Sequence, residues 1–180
     1  KDSLNPSARY LISVFYFRAD NPAYQFDSAY HYAVGALDDY ALSPGREREK
    51  LKRMFIDSVR LTALRARIDS TAFEEARKVN TETAYLNFLS QFPSAVQRDL
   101  AEDLRDEVAY QDALEQNTYK AFLSYLTRYP GAHREPEARA HYDHLLYLEE
   151  TKDQRLASFE KFLAEHPETP YRKEIYRHIF

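Results

Sequence analysis

Apolar residues recur along this chain in short stripes, and three of the stripes close on a proline. Tyr85, Phe88, Leu89 and Phe92 fall at i, i+3, i+4 and i+7, one face of a short helix, and Pro93 follows. Phe122, Tyr125, Leu126 and Tyr129 repeat the stripe before Pro130, and Phe159, Phe162, Leu163 and His166 repeat it before Pro167. Proline disfavours helical geometry in the residue before it, so each stripe predicts a helix with a defined stop. The three prolines stand 37 residues apart. A constant period of this size marks stacked supersecondary units rather than one globular core.

Laid one period apart, Ala72 to Val108 and Ala109 to Leu145 are identical at 11 of 37 positions, among them Asn80/Asn117, Thr81/Thr118, Pro93/Pro130, Ala101/Ala138 and Asp106/Asp143. The third unit, Leu146 to Phe180, keeps the stripe but has Gln154-Arg155 where the others have Asn-Thr. Each unit reads as two helices. The Asn-Thr pairs predict the corners between them, because Asn tolerates the left-handed position after a helix and Thr caps the next one. The longer helices are expected from about Gln97 to Gln116 and from about Arg134 to Glu150, with small Ala101, Ala109, Ala113 and Ala138 at close helix approaches.

The first part of the chain fits the same plan with less regular chemistry. Asn5-Pro6 predicts a helix start carrying Tyr10, Leu11, Val14, Phe15 and Phe17. After a loop over 19–26, Asp27 is expected to cap a second helix with Tyr30, Ala33, Val34, Leu37 and Tyr40 inward, broken at Ser43-Pro44-Gly45. Arg46 to Lys78 has helical periodicity throughout, and the 37-residue register places a corner near Asp57-Ser58. The expectation is an all-α fold of about ten antiparallel helices arranged as an α-α superhelix. It forms a single domain over 1–180, with degenerate helices over 1–56 and periodic repeats over 57–180.

Composition agrees with helices and removes several function classes. Three Gly leave almost no material for a phosphate-cradling loop, and without Cys there is neither a disulfide framework nor thiol chemistry. No apolar run approaches the roughly 20 residues of a membrane-spanning helix, so no direct membrane insertion is expected. The net charge is −4 but unevenly spread: eight Lys and Arg stand against three acids over Gly45–Arg67, and seven acids against Arg105 over Asp99–Glu115. The basic stretch has no aromatic–basic interleaving, so it reads as a solvated face laced by pairs such as Glu49 with Arg53, and no nucleic-acid partner is expected. The chain opens at Lys1 and ends on Ile179-Phe180 with no polar cap, as expected of a piece of a longer stack.

The phrase Thr-x-x-Ala-[Tyr/Phe]-x-x-[Phe/Tyr]-Leu-x-x-[Phe/Tyr]-Pro, best developed over Thr71 to Pro167, resembles the tetratricopeptide repeat superfamily, although the usual repeat there is shorter. It is similar to the divergent repeats of bacterial cell-envelope scaffolds, such as components of outer-membrane assembly and Tol–Pal machinery. The Asp2-Ser3-Leu4-Asn5-Pro6 opening and Asp27-Ser28-Ala29-Tyr30 look like repeat proteins of Bacteroidetes. The resemblance implies a solenoid that binds a protein or peptide partner, in the periplasm or at the outer membrane, with the cytoplasm as the other compartment. It transfers no catalytic residue, because the motif positions are packing positions. An architectural spacer and a small-molecule groove are the other readings it leaves open.

Candidate chemistry is sparse. His141 and His144 have the i, i+3 spacing of metal ligands, but the sequence nominates no third ligand beyond Glu137, so no metal and no cofactor is expected. Adjacent carboxylates such as Glu74-Glu75, Glu102-Asp103 and Glu149-Glu150 point in different helix directions and suit solvation better than acid–base catalysis. No nucleophile motif occurs, so an enzyme is not expected. Tyrosines beyond those the stripes require, namely Tyr24, Tyr32, Tyr119, Tyr171 and Tyr176, are the candidates for an interaction surface, because Tyr offers large contact area at low entropic cost.

Overall fold

The computed structural model describes residues 5–179, so the expectations resting on Asp2, Ser3, Leu4 and Phe180 lie outside the described residues. Among the described residues there are ten helices and no strand. They are α1 (Pro6–Phe17), α2 (Phe26–Leu42), α3 (Gly45–Arg53), α4 (Ser58–Val79), α5 (Glu82–Gln91), α6 (Arg98–Gln116), α7 (Tyr119–Arg128), α8 (Glu135–Glu150), α9 (Leu156–Glu165) and α10 (Arg172–Ile179). Both long repeat helices begin and end within about a residue of the places the sequence predicts.

Local chemistry accounts for most of the helix boundaries. Asn5 accepts from the Ala8 N–H with Pro6 at the first helical position, and Asp57 accepts from the Arg60 N–H. Thr81 and Thr118 hold the equivalent bonds from Ala84 and Ala121, starting α5 and α7. The residue before each Thr turns left-handed, with φ of 48° at Asn80 and 46° at Asn117. The third corner keeps that backbone, φ 52° at Gln154, but Arg155 provides no side-chain cap. One predicted cap moves: α2 begins at Phe26 on Gln25, and Asp27 sits inside the first turn, where its charge faces the positive helix end.

The contacts divide the chain into two compact units, 1–102 and 103–180. In the first, α1 packs on α2, α2 on α4, and α4 on α5. Its interior includes Leu61, Ile68 and Phe73 together with the whole Tyr85, Phe88, Leu89, Phe92 stripe. Tyr30 meets Phe92 edge-on with ring centroids 4.9 Å apart, and Phe92 stacks on Phe88 at 5.3 Å. In the second unit, α7 packs on α8, α8 on α9, and α9 on α10. Ala109, Tyr110 and Ala113 of α6 surround Phe122, Tyr125 and Leu126, and Ala138 of α8 closes the cluster. A following cluster joins Leu146 and Tyr147 to Phe159, Phe162 and Ile175.

The first unit also packs with polar groups. Asp39, only 8% exposed, accepts from the Asn5 N–H and from Arg9 Nε, each at 2.9 Å. Arg9 reaches it by lying over Gly35, where an added Cβ would meet Arg9 Nη1 at 2.6 Å. Ser13 is fully buried and donates to the Ala29 carbonyl at 2.8 Å. Leu11 and Phe15 of the same helix are 62% and 52% exposed, so two of the apolar residues carried by α1 face outward.

Candidate functional site

The first unit has an open groove of about 790 Å³ between α1 and α4. Both helices pack on α2 and touch each other over a short stretch, with the groove opening beside that contact. On α4 the wall is Arg60, Ala63, Leu64 and Arg67, spaced i, i+3, i+4 and i+7 along one face. On α1 it is Tyr10, Val14 and Phe17, spaced i, i+4 and i+7. Arg60 Nε donates to the Tyr10 hydroxyl at 3.0 Å, and its guanidinium lies 5.9 Å from the centre of that ring. The Arg67 guanidinium lies 5.7 Å from the centre of the Phe17 ring. At the rim Arg18 pairs with Asp20 at 2.6 Å, and the hydrogen bond raises the arginine's pKa and lowers the aspartate's.

Of the five candidate tyrosines, Tyr24 lines this groove, with its ring 5.1 Å from Phe26 and its hydroxyl pKa raised by burial. Tyr32 stacks on Tyr16 at 6.0 Å and is half-buried. Tyr119 and Tyr171 pack against the Tyr147 and Phe162 cluster, with Tyr171 stacked on Tyr147 at 4.7 Å. Tyr176 is 43% exposed. Tyr24 and Tyr32 thus belong to the first unit, and Tyr119, Tyr171 and Tyr176 to the second.

The groove arginines come from the stretch that the sequence reads as a solvated face. The local signal was there: Arg60 and Arg67 are seven residues apart with Ala63 between them, which puts two cations and a gap on one helix side. The pairing within that stretch also differs from the expected Glu49–Arg53. Glu49 pairs with Lys52 at 2.8 Å and Glu47 with Lys50 at 3.2 Å, both one turn apart on α3.

The two histidines with metal-ligand spacing are engaged by different neighbours. The His141 ring stacks on Phe122 at 4.8 Å, and His144 Nδ1 meets the Tyr171 hydroxyl at 3.0 Å. Glu137, the nearest third-ligand candidate, stands 3.4 Å from Arg134. Among the described residues, one group brings three potential ligand atoms together: Glu150, Glu165 and His166, all within 4.8 Å of one another. Glu150 Oε2 lies 3.4 Å from His166 Nε2, an ion pair when the imidazole is protonated, and the ring packs on Phe162 at 4.7 Å.

One ionisable position recurs with the 37-residue period. Asp69 is 1% exposed, neither of its carboxylate oxygens accepts a hydrogen bond, and Arg65 Nε is 3.4 Å away. Burial pushes its carboxyl up, partly opposed by Arg65. Asp106 is paired with Arg105 at 2.6 Å. Asp143 is pushed up by burial, opposed by Arg139 and His166. In the second unit, burial, reinforced by Asp106, pushes the Tyr125 hydroxyl up to about 12.

Comparison with known proteins adds no family: no family model, no curated protein and no solved structure matches the chain.

Proposed function

We propose that this chain is a non-catalytic scaffold of tetratricopeptide-like helical repeats, stacked as an α-α superhelix, that binds a protein or peptide segment as one module of a larger bacterial envelope protein. The observation that carries the reading is the recurrence of one helix corner at 37-residue spacing. Asn80, Asn117 and Gln154 all take the left-handed conformation between helices, and the aromatic stripe is the interior of each following helix. Side chains at such recurring positions are used for packing, which leaves exposed helix faces and the grooves between them as the functional surface. The open α1–α4 groove is a surface of that kind.

The test is panning a displayed random-peptide library on the 180-residue chain and titrating the selected peptides by calorimetry. Saturable binding at one peptide per chain is the expected result. A folded, helical chain that selects no peptide would contradict the reading and favour a spacer. The envelope assignment rests on the sequence resemblance, and it predicts recovery in the periplasmic or outer-membrane fraction of the source cell. Recovery in the cytosol alone would remove it.

A further inference from the structure

We infer that the α1–α4 groove is a docking site for an acidic peptide segment, one that places two carboxylates about 10 Å apart on either side of an apolar residue. This rests on the peptide-binding reading above and specifies its partner.

The charge of the wall comes first. Arg60 and Arg67 face the groove, and among the described residues neither makes an ion pair. The third groove arginine, Arg18, is neutralised by Asp20. A chain with net charge −4 that leaves two guanidiniums on one wall of an open groove concentrates positive potential there. The neighbouring rings hold these cations in position. Arg60 is anchored by its Nε bond to the Tyr10 hydroxyl and a longer contact to the Phe55 carbonyl at 3.4 Å, and Arg67 lies over Phe17. A guanidinium held against a ring keeps its outer N–H groups available, and it loses less side-chain entropy when a carboxylate arrives.

Spacing then selects the ligand. Seven residues at about 1.5 Å each separate Arg60 from Arg67 by about 10 Å along α4. In a polyproline-type extended peptide, residues three apart lie on the same side and are separated by about 9 Å. A peptide with Glu or Asp at i and i+3 therefore matches both guanidiniums from one face. Between them Ala63 is small and Leu64 is buried beneath, which leaves room for an apolar side chain. Phe17 and Tyr24 line the opposite side, the type of aromatic wall that accepts extended proline-containing segments. The Tyr10 hydroxyl, which accepts from Arg60, still has its own proton to donate to a carboxylate.

The experiment is fluorescence anisotropy with the full 180-residue chain and a labelled 12-residue probe containing Glu-Leu-Pro-Glu, together with the same probe carrying Gln in place of both Glu. The acidic probe should bind saturably, with affinity falling as salt is raised. The Gln probe should bind at least about tenfold more weakly, as expected for loss of charge-assisted bonds. Arg67→Ala and Arg60→Ala should each cause a comparable loss, and Arg67→Lys a smaller one because the planar fork is gone while the charge remains. Arg77→Ala, which removes a guanidinium paired with Glu74 outside the groove, should leave affinity unchanged. Circular dichroism of each variant checks that the helices persist.

Equal binding of the two probes, or full affinity in Arg67→Ala, overturns the assignment. So does competition by heparin that is insensitive to both groove substitutions, which would mark general attraction of polyanions. Light scattering that shows self-association abolished by Arg67→Ala, without probe binding, would overturn it in favour of a second copy as occupant. If library peptides without acidic residues bind and ignore Arg67→Ala, the scaffold reading stands and the groove assignment alone fails. If neither the probe nor any library peptide binds, both fail.

Discussion

Asp69 and Asp106 stand one 37-residue period apart, on α4 and α6, and their surroundings differ. Asp106 is preceded by Arg105, which pairs with it and also covers the Tyr129 ring at 4.5 Å. Asp69 is preceded by Ile68, which is fully buried, and the ring equivalent to Tyr129 is Phe92, packed against Phe88 and Tyr30. The first version is a drier interior that keeps a carboxylate with only Arg65 at 3.4 Å for company. The second has exchanged apolar contact for a charged lid. One backbone plan thus tolerates two solutions at the same position, because the repeat fixes where a side chain points and leaves its polarity to the neighbours.

The sharpest way to break the comparison is at the ring. Phe92→Ala removes a 2% exposed side chain at the drier corner and should cost about 3–5 kcal/mol in denaturant unfolding. His166→Ala at the equivalent, half-buried position of the third unit should cost far less, and equal losses would mean that the three corners are energetically alike. The aspartates come next. Asp69→Asn removes a buried charge whose carboxyl is pushed up by burial and should raise stability at neutral pH. Asp106→Asn should lower it by no more than about 1 kcal/mol, as for a partly exposed pair.

The pH dependence separates these two further. Burial holds the Asp69 carboxyl above its ordinary value of 3.8, so the folded state takes up a proton more readily than the unfolded one. The ionised group costs stability near neutral pH, and the cost disappears as pH falls through the raised value toward 3.8. The advantage of Asp69→Asn should therefore be full near pH 7 and gone in acid. Thermal unfolding over that range checks it, and an advantage independent of pH would contradict the account.

Smaller effects compare the corners themselves. Thr81→Ala and Thr118→Ala should each lose about 1 kcal/mol, whereas Arg155→Ala, which removes no side-chain cap bond, should leave the midpoint of thermal unfolding in place. Gln154→Gly relieves a left-handed residue at φ 52° and should gain about 0.5 kcal/mol.

The sequence made the periodic part legible because two signals coincided there. In Tyr85 to Phe92 the helical stripe is bounded by a Thr cap and a Pro stop, so phase and limits are both written in the residues. In α1 nearly every residue from Tyr10 to Phe17 is apolar, so the 3.6-residue pattern has no phase to read. Its exception, Ser13, points inward because a small hydroxyl fits a close helix approach and reaches the Ala29 carbonyl. The start of α2 is not legible in the sequence because Asp27 is as suitable for a first turn as for a cap. The groove is not legible in the sequence because its two walls are 50 residues apart, as Tyr10 and Arg60 show, and a helix face that lines a cleft has the same spacing as one that faces water.

The most direct test of the account is unfolding of a chain from which one full period, Ala109 to Leu145, has been deleted. Leu146 then follows Val108, so the 37-residue register of the sequence is kept across the join. A stack of interchangeable units predicts that this shortened chain remains helical and unfolds cooperatively, while deletion of only 109–127, about half a period, destroys the transition. Loss of cooperative folding in both deletions, or its retention in both, would contradict the claim that the 37-residue unit is the structural element of this protein.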